Sequence, residues 1–244
     1  MLHRMKNCRS SNRRQKVIQM VGLRSNTWTQ LKPDLTKDRA FRPGKLYKEI
    51  DWSDFNEVVD EFEKRMRSWY FDPAFELSKN NDNGFALLSI CVLLIDALSQ
   101  WESGDVKSEG NLFKKYVRRK LPNFRQKLTN KISIRGPYNY EVIYLADALW
   151  HGFRCGILHQ AHCPLYGVIN RDRNTPIRVL RGVYTYADND PCTTVAVNPF
   201  RLIEDLDGVF KKYILKLKNP SNKNEIKLRE NFKKKFEYSF GISL

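Results

Sequence analysis

The chain lacks paired cysteine motifs. Its five cysteines, Cys8, Cys91, Cys155, Cys163 and Cys192, are odd in number and contain no Cys-x-x-Cys, which argues against a disulfide framework. Acid is also scarce: 27 Asp and Glu stand against 43 Lys and Arg, for a formal net charge of +16. The basic N-terminus has no apolar run of the signal-peptide kind behind it, and the longest apolar stretch, Phe85 to Ile95, is short for a bilayer and is broken by Asp96. Neither secretion nor membrane insertion is expected, and the expected setting is a reducing cytoplasm. His159, His162 and Cys163 lie together, yet no second cluster at ligand spacing completes a set of four. No metal and no cofactor is expected, and there is no internal repeat.

What the chain does have is enough apolar material for one core. Of 244 residues, 41% are hydrophobic and 12% aromatic, an ordinary globular level. The positive charge sits at the ends: residues 1–33 hold eight Lys or Arg and no acid, and residues 211–244 hold ten basic and three acidic residues. That leaves residues 34–210 at +1. Two basic ends on a neutral body suit a polyanion, because each phosphate contact releases condensed counterions. Arg4, Arg13, Arg14 and Lys16 at one end and Lys233, Lys234 and Lys235 at the other are the expected RNA contacts; charge placed there for solubility is the alternative.

Punctuation and periodicity divide the chain into a basic N-terminal arm (1–48) contributing little core, a helical body (49–218) and a Lys-rich C-terminal tail (219–244) in which a helix is expected from Glu225 to Tyr238. Ser53 reads as an N-cap, followed by Phe55, Val58, Val59, Phe62, Met66 and Trp69 at helical spacing. A helix from Phe85 to Trp101 is apolar almost all round and should be central. A shorter one runs from about Leu112 to Leu121, ended by Pro122. The fourth is expected to begin near Pro137, a residue favoured in the first turn, and to continue through Ile157. After Pro164 the period shortens, predicting strands at 165–169, 177–186 and 193–197, a small β insert at about 165–198. Pro199 then opens a helix with an apolar stripe from Leu202 to Leu217.

The segment Trp150-His-Gly-Phe-Arg154-Cys-Gly-Ile-Leu-His159-Gln places an arginine and a histidine at the end of the fourth helix. Arginine is a permanent planar cation suited to phosphate oxygens, and histidine exchanges a proton near neutral pH. With this helix order, the β insert and the downstream Val-Asn-Pro-Phe-Arg-Leu helix start, the chain resembles the HEPN superfamily over roughly 52–217. The resemblance implies a mainly α, HEPN-like helical bundle with a small β-hairpin or three-stranded insert between the last two bundle helices. It further implies a metal-independent endoribonuclease of toxin–antitoxin or antiviral defence type, with Arg154 and His159 catalytic. Cys155 stands where many active members have a small polar residue, and Ala161 where one toxin branch has a tyrosine that is nucleotidylated.

On a straight helix the two side chains are rotated by about 140°, so convergence calls either for a helix end bent at Gly156 or for a composite site across a homodimer, the arrangement the resemblance favours. Asp96, an acid within Leu-Leu-Ile-Asp-Ala-Leu, needs a partner and is the expected orienting residue; Glu102 and Asp147 are weaker candidates. The expected partners are RNA, a second copy and an antitoxin or defence-system protein, with no membrane. The other readings are a non-catalytic HEPN-like module that binds nucleic acid or a protein, with Arg154 paired to a carboxylate and His159 a helix-end residue, and an unrelated helical nucleic-acid-binding protein.

Overall fold

The computed structural model describes residues 39–244 apart from 135–139, 164–165, 172–173 and 186–190. Arg4, Arg13, Arg14 and Lys16 lie outside the described residues, as does the arm before residue 39. The chain from residue 39 does not behave as an arm. Strands β1 (Ala40–Arg42) and β2 (Lys45–Leu46) form a small antiparallel ribbon, and Phe41 and Tyr47 are buried in the core. Arg65 clamps the ribbon by donating to the Phe41 carbonyl and by covering the Phe41 ring.

Helix α1 (Phe55–Met66) is capped by Asp54 rather than Ser53: the Asp54 carboxylate accepts from the amides of Asn56 and Glu57 at 2.8 and 3.3 Å, while Ser53 bonds to Asp51. A π-helical stretch, Arg67–Phe71, joins α1 to α2 (Asp72–Ser78). The wider turn resets the phase, so Trp69 falls outside the buried stripe and is 40% exposed. Helix α3 (Gly84–Ser103) runs through the centre. By length and composition it could cross a membrane, yet more than half of its apolar window is buried by the protein and Asp96 sits inside it. Helix α4 (Gly110–Lys120) follows, closed before Pro122.

Pro137, the expected start of the fourth helix, lies outside the described residues, and the helix itself starts only at Leu145. Tyr140–Tyr144 is strand β4, paired antiparallel with β3 (Lys127–Ile134), so the β structure is not confined to one insert. The run Tyr-Glu-Val-Ile-Tyr favours a strand, and the Asp147 carboxylate receives the amides of Ile143 and Tyr144 at 3.2 and 2.8 Å, turning the chain into helix at Leu145. From there α5 (Leu145–Asp147), a π-helical stretch (Ala148–Arg154) and α6 (Cys155–Gln160) form one helical arm.

The expected insert is present as β5 (Gly167–Ile169), β6 (Ile177–Thr185) and β7 (Pro191–Val197), in the order β5-β7-β6 with β5 parallel and β6 antiparallel to β7. Asn198 caps α7 (Pro199–Lys218), whose Leu202, Ile203, Leu206 and Phe210 are buried. The helix expected from Glu225 to Tyr238 is present, and it is packed into the core rather than standing off as a tail. Helix α8 (Lys223–Phe240) packs on α3 and α7, and its Phe232 and Phe236 are fully buried against Phe62 and Trp101. The described protein is thus mainly helical with small sheets.

Candidate active site

Four elements meet around Asp96. It lies mid-way along α3, and its Oδ2 accepts from Arg154 Nη2 at 2.8 Å, an ion pair whose side chains are only 10% and 15% exposed. Ser108, in the loop between α3 and α4, donates to the same carboxylate at 2.7 Å and accepts from Arg154 Nη2 at 3.2 Å. The other face of the guanidinium lies over the Trp150 ring, 4.6 Å from its centroid. Trp150 in turn lies so close to Gly110 that a Cβ there would sit 2.7 Å from its indole nitrogen. Carboxylate, hydroxyl and indole hold the guanidinium in one orientation; its Nε is buried with no hydrogen-bond partner among the described residues.

Arg154 Nη1 then approaches His159 Nε2 at 3.4 Å, on the exposed end of α6. The pair therefore meets within one chain. Helical Cα–Cβ bonds tilt toward the N-terminus, so His159 leans back along the arm while the long arginine stem spans the remaining arc. The angular separation gives no reason for a second copy. Gly156 has a part in this, although not as a bend: the chain reverses after α6 through Ala161, at φ 54°, and the His162 carbonyl comes to 2.7 Å from where a Gly156 Cβ would stand. Arginine carries no acceptor, so a hydrogen bond to His159 requires Nε2 to be unprotonated, the form that can take a proton.

The arm carries a second histidine in different surroundings. His151 is half-buried and stacked on Tyr140, with ring centroids 4.4 Å apart and 12° between planes. Burial pushes its pKa down and Lys114 adds to the effect, against an opposing pull from Asp147. Cys155, beside the site, has its thiol pushed up by burial, with the Arg154 charge opposing. His162 bonds through Nδ1 to the Cys163 carbonyl at 2.7 Å, and among the described residues no three His, Cys, Asp or Glu side chains are grouped to hold a metal ion.

The remaining candidates separate. Glu102 is occupied by Arg119 and Lys120 at 3.2 and 2.6 Å, and Asp147 caps the start of the arm. Of Lys233, Lys234 and Lys235, only Lys234 is exposed. Lys233 covers the Phe55 ring and bonds to the Leu244 carbonyl at 3.2 Å, whereas Lys235 is buried and donates to Gln100 Oε1 at 2.9 Å. The three do not form one phosphate-facing row, because the apolar side of α8 takes Lys235 inward with Phe232 and Phe236. Ser108 and Gln100, which sequence reasoning missed, complete the polar chain around Asp96: Gln100 Nε2 lies 3.4 Å from Asp96 Oδ1. Neither stands in a motif; Gln100 is one helical turn after Asp96, a faint signal, and Ser108 reaches it only through the fold. No protein-family model, curated protein or solved structure matches the chain.

Proposed function

We propose that the protein is a metal-independent endoribonuclease of the HEPN type, acting in toxin–antitoxin or antiviral defence in the cytoplasm. The observation that carries this reading is the 3.4 Å approach of Arg154 Nη1 to His159 Nε2 at an exposed helix end, with the guanidinium anchored behind by Asp96 and Ser108. A phosphodiester seated at this gap meets a fixed cation and a proton acceptor together. His159 takes the proton from the ribose 2′-hydroxyl, whose oxygen attacks the adjacent phosphorus; the P–O5′ bond breaks, leaving a 2′,3′-cyclic phosphate and a 5′-hydroxyl that takes up a proton. Arg154 faces the charge that grows on the phosphoryl oxygens, a preorganised contribution of about 3–4 kcal/mol for one donor. A homodimer and an antitoxin or defence partner accompany this reading, although the pair needs neither for its geometry.

The test is cleavage of single-stranded RNA in the presence of a chelator, with product ends identified. Cyclic phosphate ends that disappear in His159→Ala support the reading. The second reading, a non-catalytic module, draws on the same anchors, since an arginine tied to Asp96 and Ser108 also clamps the arm to α3. RNA binding without turnover in the wild type, unchanged in His159→Ala, would establish that reading instead.

A further inference from the structure

Behind the Arg154 site is a cleft of about 390 Å³ between α1, α3, α8 and the first π-helical stretch. Its walls are apolar and aromatic, with Met66, Trp101 and Phe240 inside and Tyr70 and Leu93, 37% and 42% exposed, at its edge. Its polar lining is Arg65, Asp96, Gln100 and Lys235. Arg65 is committed to the Phe41 carbonyl and to the Trp69 ring, 3.6 Å from its centroid. Lys235 is different. Its residue is only 7% exposed, and its ammonium has three donors against one acceptor in hydrogen-bond contact among the described residues, Gln100 Oε1 at 2.9 Å, with the Tyr238 ring 5.3 Å away and the Asp105 and Asp96 carboxylates acting on its charge from farther off. A buried ammonium with donors to spare beside an open volume is a receptor for a carbonyl or anionic oxygen.

The cleft is coupled to the reaction site by one carboxylate. Asp96 faces Gln100 through Oδ1 and Arg154 through Oδ2. A group held by Lys235 and Gln100 is thus linked to the guanidinium of Arg154 through the Asp96 carboxylate.

We propose that this cleft is the base subsite of the ribonuclease: the nucleotide next to the scissile phosphate inserts its base between the apolar walls and presents a carbonyl oxygen to Lys235, with Gln100 meeting the neighbouring polar edge. The proposal rests on the RNA-cleaving reading. Guanine, uracil and cytosine carry a carbonyl oxygen and adenine does not, so the subsite selects against adenine. A site whose buried donor is left unmatched discriminates strongly, and about tenfold is expected for one such hydrogen bond.

Two measurements test it. In the first, cleavage positions are mapped on an RNA containing every dinucleotide, for the wild type, Lys235→Met and Gln100→Leu. The expected result is cleavage depleted about tenfold at adenine on one side of the cut, with the depletion lost in both variants whatever their overall rate of cutting. Cutting with no base preference, or with a preference both variants retain, overturns the subsite and leaves the ribonuclease reading standing. In the second, tryptophan fluorescence follows titration with guanosine, uridine and adenosine 5′-monophosphates and with ribose 5-phosphate. Guanosine and uridine monophosphates should bind more tightly than the adenosine compound, and Lys235→Met should remove the difference. Equal binding of ribose 5-phosphate would show that Lys235 holds phosphate and overturn the proposal. Base-selective binding without any RNA cleavage would retain the cleft as a base site and remove the ribonuclease. Gln100→Leu keeps both measurements decisive should Lys235→Met fail to fold.

Discussion

His151 and His159 lie eight residues apart on one helical arm, and their surroundings have little in common. His151 is wedged between Tyr140 and the Lys114–Asp147 pair, with its proton affinity lowered by burial. His159 stands on the exposed end, facing the guanidinium of Arg154. On the proposed function, what would set a histidine up for chemistry is a fixed cation at an exposed position, rather than burial. The sharpest way to break the contrast is to remove each ring in turn. His159→Ala is expected to lower RNA turnover by about 10²–10⁴-fold with little change in thermal stability. His151→Phe keeps the stack on Tyr140 and should leave turnover within a few-fold. Equal losses in single-turnover assays would mean that the arm acts as one unit and that the assignment of His159 is mistaken.

Asp96 supports one side of this contrast only. Asp96→Ala leaves the Arg154 guanidinium without its carboxylate in a largely enclosed place, and removing one member of such a pair costs about 3 kcal/mol. Urea denaturation should show that loss, together with reduced turnover. A change below about 0.5 kcal/mol, the size typical of surface substitutions, would mean that the ion pair is solvated and does not orient Arg154.

These residues also mark how far the sequence could be read. The central helix was legible because α3 is apolar on nearly every side, and α7 because its stripe keeps one period from Leu202 to Leu217. Arg154, His159 and Asp96 were legible as a chemical group, since an acid in an apolar helix calls for a cation and Arg154 is the one it meets. The π-helical stretches were not, because a single widened turn leaves composition unchanged while moving Trp69 outward and resetting the arm. Strand β4 was hidden behind Pro137, which reads equally well as a turn residue. In α8 the helix was legible, but the burial of its Leu228, Phe232 and Phe236 stripe was masked by the lysines around it. Charge density suggested a solvated tail, whereas the aromatic side chains settle on Trp101.

A milder perturbation sharpens the position of His159. Gly156→Ala puts a methyl group against the His162 backbone carbonyl, 2.7 Å away. A backbone atom cannot swing aside as a side chain can, so the turn after α6 must shift, at a cost of about 1–2 kcal/mol. His159 lies between the two contacting residues and should move relative to Arg154, lowering turnover more than RNA affinity. Unchanged turnover with the expected stability loss would show that the exact reversal of the chain does not govern the pair.

The smallest effect concerns pH and His151. Its folded pKa is lowered, so between that value and the unfolded value of about 6.5 the unfolded chain binds more protons than the folded one, and stability falls as pH falls. The contribution is fully present above the unfolded pKa and is lost as pH drops through the folded one. Glu225, held down to about 2 by Ser221 and Lys216, and Glu61, lowered by Arg42 and Lys64 against its burial, follow the same sign but at pH values below this window. Comparing wild type with His151→Phe from pH 7.5 to 5.5 cancels every other group. The wild type should lose thermal stability more steeply over that interval, and the variant should show a flatter dependence with its Tyr140 stack retained. Parallel curves would mean that the ring is as readily protonated in the fold as out of it, and would erase the distinction between the enclosed and the exposed histidine.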